Sequence, residues 1–341
     1  MTNSAQSAAP LDALRQMIIG KWISMALSVT AELGVADVLA SGPRSATELA
    51  RFVGASEDHL YRLLRALTVV GVLAELDGRR FALTEVGELL RSDHPQSLRG
   101  YARLMGQDAF WRVWGAFGDA VRTGEAIVER VLGMGPFEYF AAHPDAAAVF
   151  NDAMTSASAM ESDAIARAYD FSRIETLTDV AGGHGLLLAT ILAAYPNVRG
   201  VLFEMPHALE GARKLFGERK LGGRCEVVTG DFFAGVPPGA DAYLLKHIIH
   251  DWDDDRALAI LANCRKALKR DGRVLVVDMV IPPPGEPHFG KLLDLEMMAM
   301  TQHGKERTRE EFDVLFRSAN LRLTRIVPTD APVSVVEGVA A

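Results

Sequence analysis

Cysteine is scarce: Cys225 and Cys264 are the only two among 341 residues, too few for a disulfide framework and in keeping with a reducing compartment. Long apolar runs are missing too. The most apolar early stretch, Met17 to Leu39, is broken by Lys21, Glu32 and Asp37, and so falls short of the roughly 18 uninterrupted apolar residues of a membrane span. Met1 to Pro10 has no basic stretch leading into an apolar core, so no secretory leader is read there; a cytoplasmic location and no membrane partner are expected. Positive charge is in short supply. With a net charge of −8 and a pI near 5.6, the chain has no diffuse field to attract nucleic acid.

What the chain does have is core material. Hydrophobic residues make up 49% and charged residues 23%, the balance of a globular protein. Its 341 residues exceed what one core usually holds, so at least two domains are expected. From Leu11 to about Ala40, apolar residues recur at helical spacing with little polar surface between them. Such helices need covering, and a second copy of the chain, hence a homodimer, is the default partner. Ser45 to Glu48 reads as a capping box and Ser56 as the cap of a second helix carrying Leu60, Leu63, Leu64 and Leu67. A hairpin follows, with strands from Val72 to Leu76 and Arg80 to Leu83 around the turn Asp77-Gly78.

Helix, helix and hairpin together predict a winged helix, a fold that raises the question of DNA. Between Arg44 and Arg91, seven arginines face seven acidic residues, and a neutral module is a poor duplex binder; dimerisation is the better role. From Tyr101 to Tyr169 the pattern is helical and rich in aromatics and methionine, either ordinary helix core or the lining of a cavity for a flat apolar ligand.

After Glu175 short β-rich runs alternate with helices, which predicts an α/β sandwich around a mostly parallel sheet, with ligands at the carboxyl ends of the strands. The first strand ends in Asp179-Val180-Ala181-Gly182-Gly183-His184-Gly185. The glycines allow close approach of a ligand to the backbone. Leu188 replaces the third glycine of a dinucleotide fingerprint, so a nucleoside without phosphates fits better. Glu204, at the end of the second strand, is placed to accept both ribose hydroxyls. Asp231 and Phe232, after the third strand, offer a carboxylate for an exocyclic amine and an aromatic face for adenine.

The fourth strand runs into Lys246-His247-Ile248-Ile249-His250-Asp251-Trp252-Asp253-Asp254. With Asp179 to Gly185, Gly230 to Phe233 and Gly304-Lys305-Glu306-Arg307-Thr308, this segment resembles the S-adenosylmethionine-dependent O-methyltransferases of the plant caffeate and bacterial aromatic-polyketide type, and the likeness covers nearly the whole chain. The resemblance implies an N-terminal winged-helix dimerisation domain (1–100), a helical bridge contributing to the acceptor pocket (101–175), and a Rossmann-like class I methyltransferase sheet (176–341). It implies S-adenosylmethionine as cofactor, with S-adenosylhomocysteine as product. Cofactor contacts would come from Asp179, Gly182, Gly183, Gly185, Glu204, Asp231, Phe232 and Lys246. It makes His250 the catalytic base between the acids Asp278 and Glu306, and it places Phe150, Asn151, Met154, Asp251, Met297, Met300 and His303 around a small aromatic acceptor.

Ala181 stands where the family often has glycine and is expected to be accommodated because it is small. His247 and His250, with Asp251 to Asp255 nearby, could ligate a cation, but Asp253 to Asp255 read as the acidic start of a helix, and no metal is expected. The readings that compete with O-methylation are a ligand-responsive winged-helix regulator and a relative that has diverged to N-methylation or to other chemistry on the same scaffold.

Overall fold

The computed structural model describes residues 4–206 and 209–341; Met1, Thr2 and Asn3, part of the segment read as lacking a leader, lie outside the described residues. The chain forms two compact units. One comprises Met1–Arg112 with Phe140–Ala157, the other Val113–Tyr139 with Ser158–Ala341, so the segment 101–175 is divided between them.

In the first unit, Ser45 Oγ accepts from the Glu48 amide at 3.2 Å while the Ser45 amide donates to Glu48 Oε2 at 2.8 Å, and the helix Ala46–Val53 starts there. Ser56 stands at the N-cap of the second helix, Glu57–Thr68, as read from the sequence, but its hydroxyl makes no cap hydrogen bond to the helix amides. The Ser56 hydroxyl is instead turned to His59 Nδ1, 3.0 Å away. Strands β1 (Arg44–Ser45), β2 (Leu73–Leu76) and β3 (Arg80–Leu83) form an antiparallel sheet in the order β1-β3-β2. Leu49, Leu64, Leu67 and Phe81 fill the space between helices and hairpin.

The second unit is built on seven strands: β4 (Thr176–Val180), β5 (Arg199–Glu204), β6 (Cys225–Thr229), β7 (Ala242–Lys246), β8 (Arg273–Asp278), β11 (Leu321–Pro328) and β12 (Ser334–Ala340), ordered β11-β12-β8-β7-β4-β5-β6. From β4 to β8 every pairing is parallel; β12 joins antiparallel between β8 and β11. Alternate side chains feed two buried layers. Leu177, Leu202, Leu244 and Leu275 pack into one, and Val180, Tyr243, Leu245 and Val276 into the other. The strand order reverses between β4 and β7, and Asp179, Glu204, Asp231, Lys246, His250 and Asp278 lie at or just beyond the carboxyl ends of β4 to β8, while His303 and Glu306 come from the segment after the helix Gly290–Met300. Among the described residues, no helix is long and apolar enough to cross a membrane.

Two features that position the site are invisible in the sequence pattern. Strands β9 (Val280–Ile281) and β10 (Arg307–Thr308) pair in parallel over two residues, drawing Glu306 toward the end of β8. Arg307 itself is 1% exposed, and its guanidinium donates to the carbonyls of Ile249 and Trp252, both at 2.9 Å, and to Asp254 Oδ1 at 2.8 Å. It thereby clamps the 3-10 turn Ile249–Asp251. Arg307→Met should lower unfolding free energy by about 2–5 kcal/mol in urea denaturation, because two buried carbonyls lose their donor; a loss below about 0.5 kcal/mol would mean the clamp is dispensable.

Candidate active site

The turn after β4 is shaped by left-handed backbone: Ala181, Gly183 and Gly185 have φ of +55°, +59° and +77°. Ala181 is therefore constrained by conformation more than by size, and its Cβ carries strain of roughly 1–2 kcal/mol where glycine would carry none. At Gly182 the constraint is space, since a Cβ would lie 2.3 Å from Asp179 Oδ2. Asp179 is buried, and neither of its oxygens has a hydrogen-bond partner among the described residues. Burial pushes its carboxyl up to about 7.

Glu204 is oriented by backbone: Oε2 accepts from the Gly183 amide at 2.8 Å and Oε1 from the Met205 amide at 2.7 Å. Each oxygen keeps a second lone pair, enough for a diol. Asp231 turns Oδ1 to the Phe233 amide at 2.8 Å, and the Phe232 ring stands edge-on to Phe233, with centroids 4.8 Å apart. Two residues to which the sequence reading gave no role complete this wall. Trp252 lies 4.9 Å from Phe233, and Asn263 Nδ2 donates to the carbonyls of Phe232 and Phe233 at 2.8 and 3.0 Å. An orphaned acid beside a glycine turn, a carboxylate with spare lone pairs and an aromatic wall, all at the ends of adjacent parallel strands, suit an adenosyl amino acid: cationic amine, ribose diol and purine. Binding of S-adenosylhomocysteine, read by calorimetry, should weaken about tenfold to a hundredfold in Glu204→Gln, which keeps the volume and loses the charge; unchanged affinity would remove Glu204 from ligand contact.

Beyond β7 lies the ionisable cluster. His250 is buried, and its Nδ1 donates to Glu306 Oε1 at 2.6 Å. Its Nε2 is 3.6 Å from Asp251 Oδ1. Asp278 is fully buried and sits close to both imidazoles, yet neither of its oxygens is hydrogen-bonded among the described residues; the nearest ion-pair distance is 3.9 Å, to His247 Nδ1. Burial works against the imidazolium of His250, but Asp278, Asp251 and Glu306 outweigh it and push His250 up to about 10. Burial also raises Asp251 to about 6 and Asp278 to about 8, and Asp278 titrates together with its neighbours.

Lys246 does not point at an open position: Nζ donates to Ser158 Oγ at 2.8 Å and Glu161 Oε2 at 3.2 Å. Glu161, also unread from the sequence, is buried, yet His247 and Lys246 overcome that burial and hold it at about 2. Lys246 binds and orients this acid, which the spacing of residues 85 or more positions apart could not reveal.

The helix Gly290–Met300 buries Met297 and Met300, while His303 is exposed with φ of +72°. A Cβ at Gly304 would come 2.5 Å from the His250 carbonyl, so the segment after this helix packs on the backbone of the histidine turn. Phe150, Asn151 and Met154 belong to the other unit, where Phe150 stacks on Phe140 at 4.5 Å and Asn151 is exposed.

Comparison with known proteins places this geometry. Residues 114–322 match a family model described as an O-methyltransferase domain, and residues 16–93 one described as an O-methyltransferase dimerisation domain. The chain is 41% identical over 98% of both lengths to a phenazine O-methyltransferase of Lysobacter antibioticus. It is 40% identical to a mitomycin biosynthesis 6-O-methyltransferase of Streptomyces lavendulae, over 98% of this chain and 96% of that one. An O-methyltransferase of neocarzinostatin biosynthesis, solved with S-adenosylmethionine and 2-hydroxy-5-methyl naphthoic acid, superposes with a TM-score of 0.80 at 34% identity, covering 94% of this chain and 96% of that one. With the family matched across both halves and residues that suit an adenosyl ligand at the carboxyl edge of its sheet, the chain belongs to the S-adenosylmethionine-dependent O-methyltransferases.

Proposed function

We propose that the enzyme methylates a phenolic hydroxyl on a small aromatic secondary metabolite, with His250 as general base. The observation that carries this reading is the 2.6 Å hydrogen bond from His250 Nδ1 to Glu306, which commits Nδ1 as donor and leaves the lone pair on Nε2 for an acceptor proton. S-adenosylmethionine supplies a methyl group on a positively charged sulfur. His250 takes the proton, and Glu306 stabilises the imidazolium that results.

A phenol near 10 facing an ordinary histidine near 6.5 leaves a deficit of about 3.5 units, or roughly 4.8 kcal/mol. Raising His250 to about 10 closes most of that gap. The consequence is a base that is mostly protonated at neutral pH. Asp251, Met297, Met300 and His303 are the residues we assign to acceptor contact. Support for an aromatic acceptor comes from the phenazine and mitomycin names of the relatives and from the naphthoic acid in the solved complex. We further assign a homodimer: the dimerisation model covers 16–93, and Met17, Ile18 and Trp22 present large apolar side chains 76%, 67% and 64% exposed.

A nitrogen acceptor is the second reading, favoured by a 34% identical relative named 8-amino-8-demethylriboflavin N,N-dimethyltransferase. A neutral aromatic amine attacks without prior loss of a proton, so the two readings separate on the base. On an acceptor found in a panel of hydroxyphenazines and hydroxynaphthoates, His250→Ala should lower kcat/KM by about 10²–10⁴ while leaving S-adenosylhomocysteine binding intact. Activity should rise with pH as His250 loses its proton. Asp278→Asn removes the largest charge that raises His250 and should shift the rising limb to lower pH. Undiminished turnover in His250→Ala would overturn the base assignment.

A further inference from the structure

His247 has no part in the chemistry above, yet it is held as deliberately as His250. It occupies left-handed backbone at φ +54°, its amide donates to the Val277 carbonyl at 3.0 Å, and its ring stacks on His250 with centroids 5.0 Å apart. Its Nε2 donates to Glu161 at 3.0 Å, as His250 Nδ1 donates to Glu306 at 2.6 Å. Each imidazole thus has one nitrogen fixed by a buried carboxylate, and its other nitrogen can serve as a ligand atom, in His250 once a dication has displaced the proton held there. The buried Nδ1 of His247 and both oxygens of Asp278 have no hydrogen-bond partner among the described residues. One donor atom from each of His247, His250 and Asp278 lies within 4.8 Å of the others.

We infer that these three residues form a site for a transition-metal dication of the Zn²⁺ class, whose occupancy blocks His250 as a base. Two imidazoles and one carboxylate, each imidazole backed by an outer carboxylate, form the donor pattern that orients histidine toward such a metal. Hard oxygen-seeking cations such as Mg²⁺ and Ca²⁺ are poorly matched by a set with two nitrogens. The 3.9 Å from His247 Nδ1 to Asp278 Oδ1 exceeds by about 0.5 Å the roughly 3.4 Å between ligand atoms of a tetrahedral zinc, and separations within the set reach up to 4.8 Å, so the three side chains would draw together on binding. Charge favours occupancy, since Asp251, Asp278 and Glu306 surround the two imidazoles with three carboxylates. Metal binding does not require that His250 be the base; only the block on turnover rests on that assignment.

The test is calorimetry with ZnCl2 on the intact protein loaded with S-adenosylhomocysteine, paired with the visible d–d absorption of Co²⁺ at the same site. One equivalent is expected to bind, with an absorption intensity typical of four-coordinate cobalt. His247→Gln should abolish binding and absorption and keep its affinity for S-adenosylhomocysteine, while wild-type turnover is inhibited by Zn²⁺ and the variant's, measured against its own metal-free rate, is not. Glu161→Gln should weaken Zn²⁺ about tenfold to a hundredfold. If His247→Gln fails to bind S-adenosylhomocysteine and so is misfolded, Asp278→Asn read by metal binding alone serves in its place. Absence of stoichiometric binding, or equal binding in the ligand variants, would overturn the site. Failure of His250 as base would appear separately, as retained turnover in His250→Ala.

Discussion

The hydrogen bond between His250 and Glu306 joins segments 56 residues apart, and most of the catalytic unit is organised to hold its two ends. A buried carboxylate without a partner is expensive, and the His250 donor offsets that cost for Glu306. Delivery depends on the turn after β7, which Arg307 grips by the Ile249 and Trp252 carbonyls. Glu306 is fixed from its own side: its amide donates to Asp294 at 2.9 Å, and the next residue opens β10, which pairs with β9. Acid, base and clamp are therefore one construction. A shift in any of these segments would be felt at the imidazole.

The same unit contains a buried carboxylate of the opposite kind. Glu337, in the middle of β12, accepts from Thr324 at 2.6 Å, Arg325 at 3.1 Å, Arg273 at 3.3 Å and the Tyr169 hydroxyl. Its charge is fully answered from within the protein, and it serves the architecture. Asp179 and Asp278 are at least as deeply buried and have no such partners. The contrast separates acids that hold the fold from acids left open for something the chain does not itself supply. Both open acids stand at or next to the carboxyl ends of parallel strands, β4 and β8, where the sheet's geometry leaves a crevice.

Much of this organisation could be read before any coordinates. Alternation of short apolar runs with helices identified the parallel sheet, because strands covered on both faces must be apolar throughout. The capping box at Ser45, the hairpin around Gly78 and the glycine turn after Asp179 all rest on local rules of conformation or spacing, and they hold in three dimensions. Ser56 shows where a local rule fails, since a neighbouring His59 offers its hydroxyl a different partner. Sequence spacing carries no information about such a choice.

The sequence by itself determined the class of fold, the order of its parts and the residue types from which the site is made, because periodicity, turn chemistry and short motifs are properties of neighbouring residues. Only the tertiary structure decided which of those residues meet. Glu161 reaches Lys246 and His247, Asn263 supports Phe232, Arg307 clamps the histidine turn, and Asp278 stays unbonded beside two imidazoles. Each of these contacts spans tens of residues and is set by the pairing of strands and the packing of helices, so its cause lies in the assembled core.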